Sequence, residues 1–259
     1  MLNPRIWVAC LLLLITTLSS SMAETGRLEA LDTDLPDMAS ITDVATKKQV
    51  FFDFMGPLIH RVNQRIVAER IWLLQMQTDI KQGMTPAPWQ EAFMIELARE
   101  YEVEEAPGSP AYFKLILHRA DVIPASLVLA QAANESAWGT SRFATEGNNL
   151  FGQWCFSQGC GLVPSGRPEG ERYEVKVFDD VAASVSAYFQ NVNTHPPYRD
   201  LRNIRSELRY LGEPAESLML VWGLESYSIR GEEYIRELTE MITHNDLTEY
   251  DQRAFYAAN

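Results

Sequence analysis

The sequence predicts an α+β fold that is mostly helical and contains one small β region. Apolar residues recur at steps of three and four through residues 58–137 and again after residue 180, which is the spacing of amphipathic helices. Between these parts, residues 148–178 are dense in Gly, Asn, Pro and Cys, with one alternating stretch at 173–178. We therefore expect a helical domain in which a β hairpin forms one wall of a cleft.

Three helices are predicted in the first half of the domain. A long apolar pattern has Gly56-Pro57 at its expected start and Gly83 at its expected end. A second amphipathic helix runs from about 89 to 101, and a short third helix spans about 110–119. The Trp and Met residues of these helices are best explained as core packing.

The fourth helix is expected to start at Pro124, because the fixed φ of proline suits a first helical position. Its apolar pattern continues without a breaker until Gly139. The remaining predicted elements are a hairpin that pairs Leu162-Val163 with 173–178 around a turn at 166–170, and helices from Asp180 to a last one near 233–243.

The first residues have the order of a secretory signal: Arg5, the apolar run Ile6–Leu18, and small residues ending at Ala23. The run has 13 residues, whereas a membrane-spanning helix needs about 20, so cleavage is favoured over an uncleaved anchor. The predicted divisions are a signal peptide at 1–23, an acidic linker at 24–46, and one large domain at 47–259 that includes an N-terminal helical part at 47–105. The mature protein is expected in the periplasm or outside the cell.

The chain is acidic, with 22 Lys and Arg against 35 Asp and Glu in 259 residues and a formal net charge of −13. Sequence-independent nucleic-acid binding and adhesion to anionic lipid both need a basic face, so neither is expected. No stretch after residue 23 is apolar enough to cross a bilayer, and we expect no stable membrane insertion after signal cleavage.

The cysteines predict one disulfide. Cys10 lies inside the signal, which leaves Cys155 and Cys160 in the mature chain. In an oxidising compartment such a pair is expected to be oxidised. A zinc site is the alternative, but it needs two more ligands, and the four His residues show no ligand spacing with the cysteines. We favour the disulfide and expect no metal and no cofactor.

Glu135 is the strongest catalytic candidate. It lies four residues after Gln131, on the same helix face, and close to the predicted end of the fourth helix. The free carbonyl groups of that end, and an apolar wall from Trp138 or Phe151, would raise the pKa of its carboxyl. A carboxylic acid that stays protonated near neutral pH can protonate a departing glycosidic oxygen.

The surrounding sequence is similar to the signature of a known family. Residues 130–141 read AQAANESAWGTS and residues 148–152 read NNLFG, which resembles the β-N-acetylglucosaminidase family of bacterial wall hydrolases, to which the flagellar peptidoglycan hydrolase domain belongs. Within it, the Bax proteins of Gram-negative bacteria are the more similar group, on the segments WC at 154–155, GLVP at 161–164 and NTHPPY at 193–198. The resemblance covers about residues 47–245 and implies a lysozyme-like fold.

The resemblance also implies roles for individual residues. Glu135 matches the general acid of the family. Tyr227 falls in a late region whose first Tyr faces the cleft, with a half-buried core tyrosine as the alternative. Ser136 and Ser141 are better explained by helix-end hydrogen bonds. The residues expected to bind the sugar are Gln131, Trp138, Asn149, Phe151 and Tyr234.

A second catalytic carboxylate is expected in the hairpin, because related enzymes often place one there. Glu169, Glu171 and Glu174 compete, and we retain Glu169 and Glu174; Glu146 is better explained as structural. A second carboxylate roughly 6.5–9.5 Å from the acid implies inversion, and a closer one retention. Without such a group, the N-acetyl group of the substrate could act as nucleophile.

Together these patterns predict a peptidoglycan hydrolase that cleaves the β-1,4 bond after N-acetylglucosamine, with the glycan strand as its partner. The first alternative is a lytic transglycosylase, which uses one Glu and leaves 1,6-anhydro-muramyl ends. The second alternative is a wall-binding protein that retains the cleft without turnover.

Overall fold

The longest helix, α1 (Val44–Lys81), begins well before the position predicted from the sequence. The computed structural model describes residues 31–228 and 230–251, so the predicted signal peptide lies outside the described residues. Asp43 caps α1, since its carboxylate accepts a hydrogen bond from the Thr46 N–H at 2.8 Å.

The predicted start of this helix at Gly56-Pro57 is wrong, because Pro57 lies inside it. An internal proline destabilises a helix by about 3 kcal/mol. Phe51, Phe52 and Met55 are all buried, and burying an apolar side chain of this size contributes about 1.5–3 kcal/mol. Burial of the first turns therefore outweighs the effect of the proline, and the apolar pattern extends to the N-terminal side of it.

Part of the segment predicted as a solvated linker packs on the domain. Residues 31–43 form no helix or strand, yet Met38 is only 1% exposed. A Cβ added to Gly139 would lie 2.9 Å from Met38 Cγ and 3.3 Å from Leu35 Cδ1. This close approach, together with a φ of +76°, explains why glycine occupies position 139.

The second and third helices pack on the C-terminal half of α1. They are α2 (Pro88–Glu100) and α3 (Pro110–Arg119), within one or two residues of the predicted positions. The buried cluster that joins the three helices contains Leu73, Met76, Met94, Leu97, Ala98, Tyr101, Val103, Tyr112, Phe113, Ile116 and Ala120. Met76 and Met94 thus belong to a core, as predicted, but the same prediction for the tryptophans is wrong, because Trp72 and Trp89 are 48% and 54% exposed.

Helix α4 (Ala125–Ser136) is the central helix of the domain, and ten of its 12 residues are buried. It packs against α1 and against the last helix. It ends abruptly, because Ala137, Trp138 and Gly139 all have positive φ, at 50°, 61° and 76°. The short helix α5 (Arg142–Gly147) follows, with Ser141 as its N-cap.

The β region is a three-stranded antiparallel sheet rather than a simple hairpin. Its strands are β1 (Trp154–Cys155), β2 (Gly161–Leu162) and β3 (Glu174–Lys176), in the order β1-β3-β2. The predicted pairing of the second and third strands is confirmed, with Leu162 opposite Val175. Strand β1 was missed, because two residues cannot display an alternating pattern.

The chain then returns to helix. The remaining elements are α6 (Val181–Thr194), a 3₁₀ segment (Pro196–Tyr198), α7 (Arg199–Leu211), α8 (Ser217–Leu220), a second 3₁₀ segment (Val221–Tyr227) and α9 (Glu232–His244). The predicted α+β class, mostly helical with a small sheet, is confirmed. In the described part of the chain, no helix combines the length and the apolarity needed to span a bilayer.

A buried carboxylate ties α1, α7 and the start of α4 together. Asp121 accepts two hydrogen bonds from the Arg209 guanidinium, both at 2.6 Å, and lies 3.5 Å from Arg70 Nη1. Arg205, which is also buried, donates to the backbone carbonyl of Asp121 at 2.9 Å. Burial by itself would raise the pKa of Asp121, but the three arginines lower it below its usual value.

Candidate active site

Glu135 lies at the end of α4, half-buried and surrounded by aromatic hydroxyls. Its charge acts on four tyrosines from four separate elements: Tyr188 of α6, Tyr198 and Tyr227 of the two 3₁₀ segments, and Tyr234 of α9. Burial is the largest influence on each of these hydroxyls, and it raises the pKa of each. All four stay protonated at neutral pH and can donate hydrogen bonds.

A chain of hydrogen bonds leads through the core to Glu135. The Tyr188 hydroxyl donates to Gln131 Oε1 at 2.5 Å, and Gln131 Nε2 donates to the Tyr234 hydroxyl at 3.0 Å. The Tyr234 hydroxyl in turn makes a hydrogen bond with the Glu135 carboxyl. Because Gln131 Nε2 can only donate, the Tyr234 oxygen accepts from it and keeps its own hydrogen available for Glu135. The lowering effect of Tyr234 on the pKa of Glu135 agrees with Tyr234 as the donor.

The pKa of Glu135 is raised above that of an ordinary glutamate. Burial raises this pKa most, because the charged form loses its hydration. The hydrogen bond from Tyr234 and the charge of Arg230 lower it, and the nearby Glu237 raises it slightly. Arg230 is itself paired with Glu237, with Nη1 2.6 Å from Oε2. The negative charge of Glu237 therefore partly offsets the effect of Arg230 on the pKa of Glu135.

A cleft of about 530 Å³ opens beside this carboxyl. Gly152 connects the two, because it lines the cleft and a Cβ added to it would lie 3.8 Å from Glu135 Oε2. The other lining residues come from the sheet, from α6 and the following 3₁₀ segment, and from single positions elsewhere: Glu102, Phe151, Gln153, Trp154, Phe156, Lys176, Ala187, Gln190, Asn191, Thr194, His195, Pro197, Tyr198 and Tyr227.

Phe151 and Tyr227, two of the residues predicted from the sequence, line this cleft together. The Tyr227 hydroxyl donates to the carbonyl oxygen of Phe151 at 2.9 Å. The Phe151 ring is stacked on Tyr188, with ring centroids 4.2 Å apart. The Tyr227 ring is stacked on Tyr234, 5.6 Å away and nearly parallel. Phe151 and Tyr227 are therefore held in place by contacts with each other and with Tyr188 and Tyr234, which also act on Glu135.

Three other predicted sugar-binding residues are buried. Gln131 and Tyr234 are both 0% exposed; Gln131 is hydrogen-bonded to Tyr234, and Tyr234 to Glu135. Asn149 fixes the turn in front of the sheet, since its Nδ2 donates to the carbonyl oxygens of Gln153 and Lys176 at 2.9 and 2.8 Å. These side chains shape the site from behind and do not reach the cleft.

Trp138 does not line the cleft either; its indole packs against α1. Its ring lies 5.8 Å from that of Phe51 and 5.4 Å from that of Phe52, with Lys48 Nζ over it at 5.2 Å. The left-handed backbone at Ala137 and Trp138 turns the indole away from the face of α4 that carries Glu135. A sequence motif fixes the order of residues, but it does not reveal this reversal.

The two serines of the motif make the helix-end hydrogen bonds expected of them. Ser136 Oγ donates to the Ala132 carbonyl at 2.6 Å and accepts from the Gly139 N–H at 2.8 Å. Ser141 Oγ accepts from the Ala144 N–H at 3.2 Å. Both hydroxyls stabilise the turn that follows Glu135.

The carboxylates of the β region lie in very different surroundings. Glu174 is 6% exposed and accepts hydrogen bonds from the N–H groups of Gly159 and Gly161 at 3.1 and 2.8 Å. These backbone hydrogen bonds lower the pKa of Glu174. Glu169 is exposed in the connection between β2 and β3 and does not line the cleft. Glu146 pairs with Arg142 at 3.3 Å.

Cys155 and Cys160 are joined by a disulfide that closes the connection between β1 and β2. Glu174 of β3 also holds this connection, because its carboxylate accepts hydrogen bonds from the backbone on either side of Cys160. The zinc interpretation is excluded, because the disulfide leaves neither sulfur free to bind a metal as a thiolate.

Sequence reasoning did not name Tyr188 and Tyr198 as site residues. Tyr198 ends the NTHPPY segment that carried part of the family resemblance, so a signal for it was present. Tyr188 lies within the amphipathic helix α6, where a buried aromatic residue is normally explained by core packing. Only the three-dimensional contact with Gln131 reveals its relation to Glu135.

Comparison with known proteins agrees with this geometry. The family model for glucosaminidase, described as mannosyl-glycoprotein endo-beta-N-acetylglucosaminidase, matches residues 111–247, which contain Glu135 and most of the cleft. The chain is also 34% identical over 227 residues to protein bax of Escherichia coli (strain K12), covering 87% of this chain and 80% of that protein. No solved structure matches the chain at the same stringency. The match to the family model supports a glycosidase-type enzyme, and the chain belongs to the glucosaminidase family as a member of the Bax type.

Proposed function

We propose that this protein hydrolyses the β-1,4 glycosidic bond after N-acetylglucosamine in peptidoglycan strands, with Glu135 as the general acid. The observation that carries the proposal is the half-buried Glu135 carboxyl beside the cleft. Its raised pKa favours the protonated form that a departing glycosidic oxygen requires. The match to the glucosaminidase family model supports the choice of bond.

In this account Glu135 donates its proton to the leaving oxygen while the bond from that oxygen to C1 of the sugar breaks. Tyr234 is a positioning residue because it is hydrogen-bonded to Glu135 from the core and does not reach the cleft, and Gln131 in turn holds the Tyr234 hydroxyl. Tyr227 lines the cleft, and its hydroxyl donates a hydrogen bond to the carbonyl oxygen of Phe151. An oxygen lone pair of Tyr227 is therefore free to stabilise the positive charge that develops at C1.

The carboxylates near the cleft support a proposal for the nucleophile. In the described part of the chain, Glu102 is the one carboxylate among the lining residues, and it comes from the connection between α2 and α3. Glu174 is committed to the backbone of the disulfide loop, and Glu169 is exposed outside the cleft. We therefore assign Glu174 a positioning role and propose that the N-acetyl group of the substrate attacks C1.

The substrate also determines where the protein acts. Peptidoglycan lies outside the cytoplasm, and the sequence of residues 1–23 fits a secretory signal. The disulfide fits an oxidising compartment. We propose that the chain is exported and acts in the periplasm or outside the cell.

Digestion of purified sacculi, followed by mass spectrometry of the new ends, tests the proposal. We expect wild-type protein to release fragments with N-acetylglucosamine at the reducing end, and Glu135→Gln to release them about 10²–10⁴ times more slowly. Anhydro-muramyl ends would instead identify a lytic transglycosylase. Binding to sacculi without any product over long incubation would identify a wall-binding protein.

A further inference from the structure

An exposed aromatic surface lies on the sheet at one side of the cleft. Trp154 of β1 is 56% exposed and lines the cleft. One face of its indole is stacked on Tyr173, with ring centroids 4.4 Å apart and planes 9° from parallel. Because Tyr173 covers that face and does not itself line the cleft, the opposite face of the indole is the one open to it.

Phe156 and Lys176 extend this surface. Phe156 is 74% exposed and lines the same cleft. Lys176 lines it too, with its ammonium group 4.9 Å from the Phe178 ring. Exposing rings of this size to water forfeits the free energy that their burial provides, about 25 cal/mol per Å² of apolar surface. An exposed aromatic pair at the edge of a cleft therefore marks a binding surface.

A disulfide and a pair of hydrogen bonds hold the backbone under this surface in place. The Cys155–Cys160 disulfide closes the segment that carries Phe156. The buried Glu174 carboxylate holds the same segment through the N–H groups of Gly159 and Gly161. A ligand that stacks on Trp154 thus meets a surface that is already ordered, and its binding loses little free energy in ordering the protein.

We propose that Trp154, backed by Tyr173, is a subsite for a pyranose ring of the glycan strand, separate from the sugar at the scissile bond, in a cleft that Phe156 and Lys176 also line. A pyranose presents an apolar face of C–H groups that stacks on an indole, while its hydroxyl and acetamido oxygens can accept from the Lys176 ammonium group. This assignment rests on the proposed function, because it places the sugar on the same strand that reaches Glu135.

The continuity of the chain supports this occupant over any other. A Cβ added to Gly152 would lie 3.8 Å from Glu135 Oε2. Trp154 follows Gly152 two residues later, so the Cα atoms of Gly152 and Trp154 are at most about 7.6 Å apart. A strand that passes Glu135 along the cleft therefore meets the Trp154 surface next. The surface contacts the glycan beside the bond to be cut and determines how firmly the strand is held.

Binding of chitotetraose and of purified sacculi, measured with variants in a Glu135→Gln background, tests the subsite independently of turnover. We expect Trp154→Ala to weaken binding of both probes by about tenfold or more, and Trp154→Phe to retain most of the affinity. The matched control is Trp89→Ala, because Trp89 is 54% exposed and also contacts another ring, that of Trp72, but does not line the cleft. We expect Trp89→Ala to bind like its parent.

Equal binding by Trp154→Ala and its parent overturns the subsite, and so does a parent that binds neither probe. Neither result depends on whether wild-type protein cuts sacculi, which is the test of the proposed function. If wild-type protein proves inactive while Trp154→Ala still loses binding, the subsite stands and the catalytic proposal fails.

Discussion

The Tyr234 hydroxyl makes a hydrogen bond with the Glu135 carboxyl from a position with no exposure to solvent. This hydrogen bond opposes the effect of burial: burial favours the protonated acid, and a donor favours the carboxylate. Glu135 gives up a proton in the first step and must recover one afterwards. A pKa close to the operating pH suits both steps, so burial and the Tyr234 hydrogen bond have to balance.

Replacing Tyr234 by Phe should raise the pKa of Glu135, because the variant loses a hydrogen bond that stabilises the charged form. The acid then stays protonated to higher pH. The descending limb of kcat/KM at high pH should therefore move to higher pH in a profile measured on sacculi or on soluble glycan fragments.

The matched control for this variant is Tyr112→Phe, which removes a buried hydroxyl that donates to the Met94 carbonyl in the other core. We expect it to affect stability without moving the limb. A limb of Tyr234→Phe that stays in place, or that moves to lower pH, contradicts the assigned role of the hydrogen bond.

Gly152→Ala should reduce kcat, because the new methyl group would fill the space 3.8 Å from Glu135 Oε2 at the edge of the cleft, and the backbone would keep a φ of +63°. The backbone strain alone costs about 1–2 kcal/mol of stability. Gly170→Ala introduces the same kind of strain, at a φ of +91°, with open space around the added Cβ. Both variants should lose stability in urea denaturation, and only Gly152→Ala should lose activity. If the two variants have equal activity, the space beside Glu135 is not needed.

Asp121→Asn should destabilise the fold by about 3–5 kcal/mol at pH 7, because it leaves buried Arg205 without a compensating charge nearby. The pKa of Asp121 is lowered in the folded state, so its contribution to stability is complete above the unfolded pKa and is lost as the pH falls through the folded value.

The difference in unfolding free energy between wild type and Asp121→Asn should accordingly shrink in urea titrations below about pH 4. The exposed Asp179 provides a control, since Asp179→Asn should change stability by less than about 0.5 kcal/mol. A constant difference down to pH 2 would show that the charge of Asp121 is not what stabilises the cluster.

The stereochemistry of the product tests the proposed nucleophile. If the N-acetyl oxygen attacks C1 and water then opens the resulting ring, two inversions give net retention. Proton NMR during cleavage of a soluble glycan should therefore show the β-anomer first. Initial formation of the α-anomer would indicate direct attack by water with a second carboxylate as its base.

Much of the site could be predicted from local sequence, because the relevant signals are local. Glu135 and Gln131 share a helix face at a spacing of four, and the end of that helix could be placed from Gly139. The pairing of β2 and β3 followed from alternation and turn residues. In each case the physical cause acts over a few neighbouring residues.

The parts that escaped prediction depend on contacts between distant residues or on one backbone angle. Trp138 was placed in the cleft on the family resemblance, but the left-handed backbone there directs it to α1. Pro57 was taken as a helix start, although the burial of Phe51 and Phe52 keeps it inside the helix. The role of Glu174 depends on the N–H groups of a loop more than ten residues away.

The most direct test of Glu135 as general acid compares two leaving groups. Glu135→Gln should cut sacculi about 10²–10⁴ times more slowly than wild type, yet should cleave a dinitrophenyl β-chitobioside at nearly the wild-type rate, because dinitrophenolate leaves without protonation. Equal losses on both substrates, or no loss on sacculi, would contradict the assignment of Glu135 as the acid.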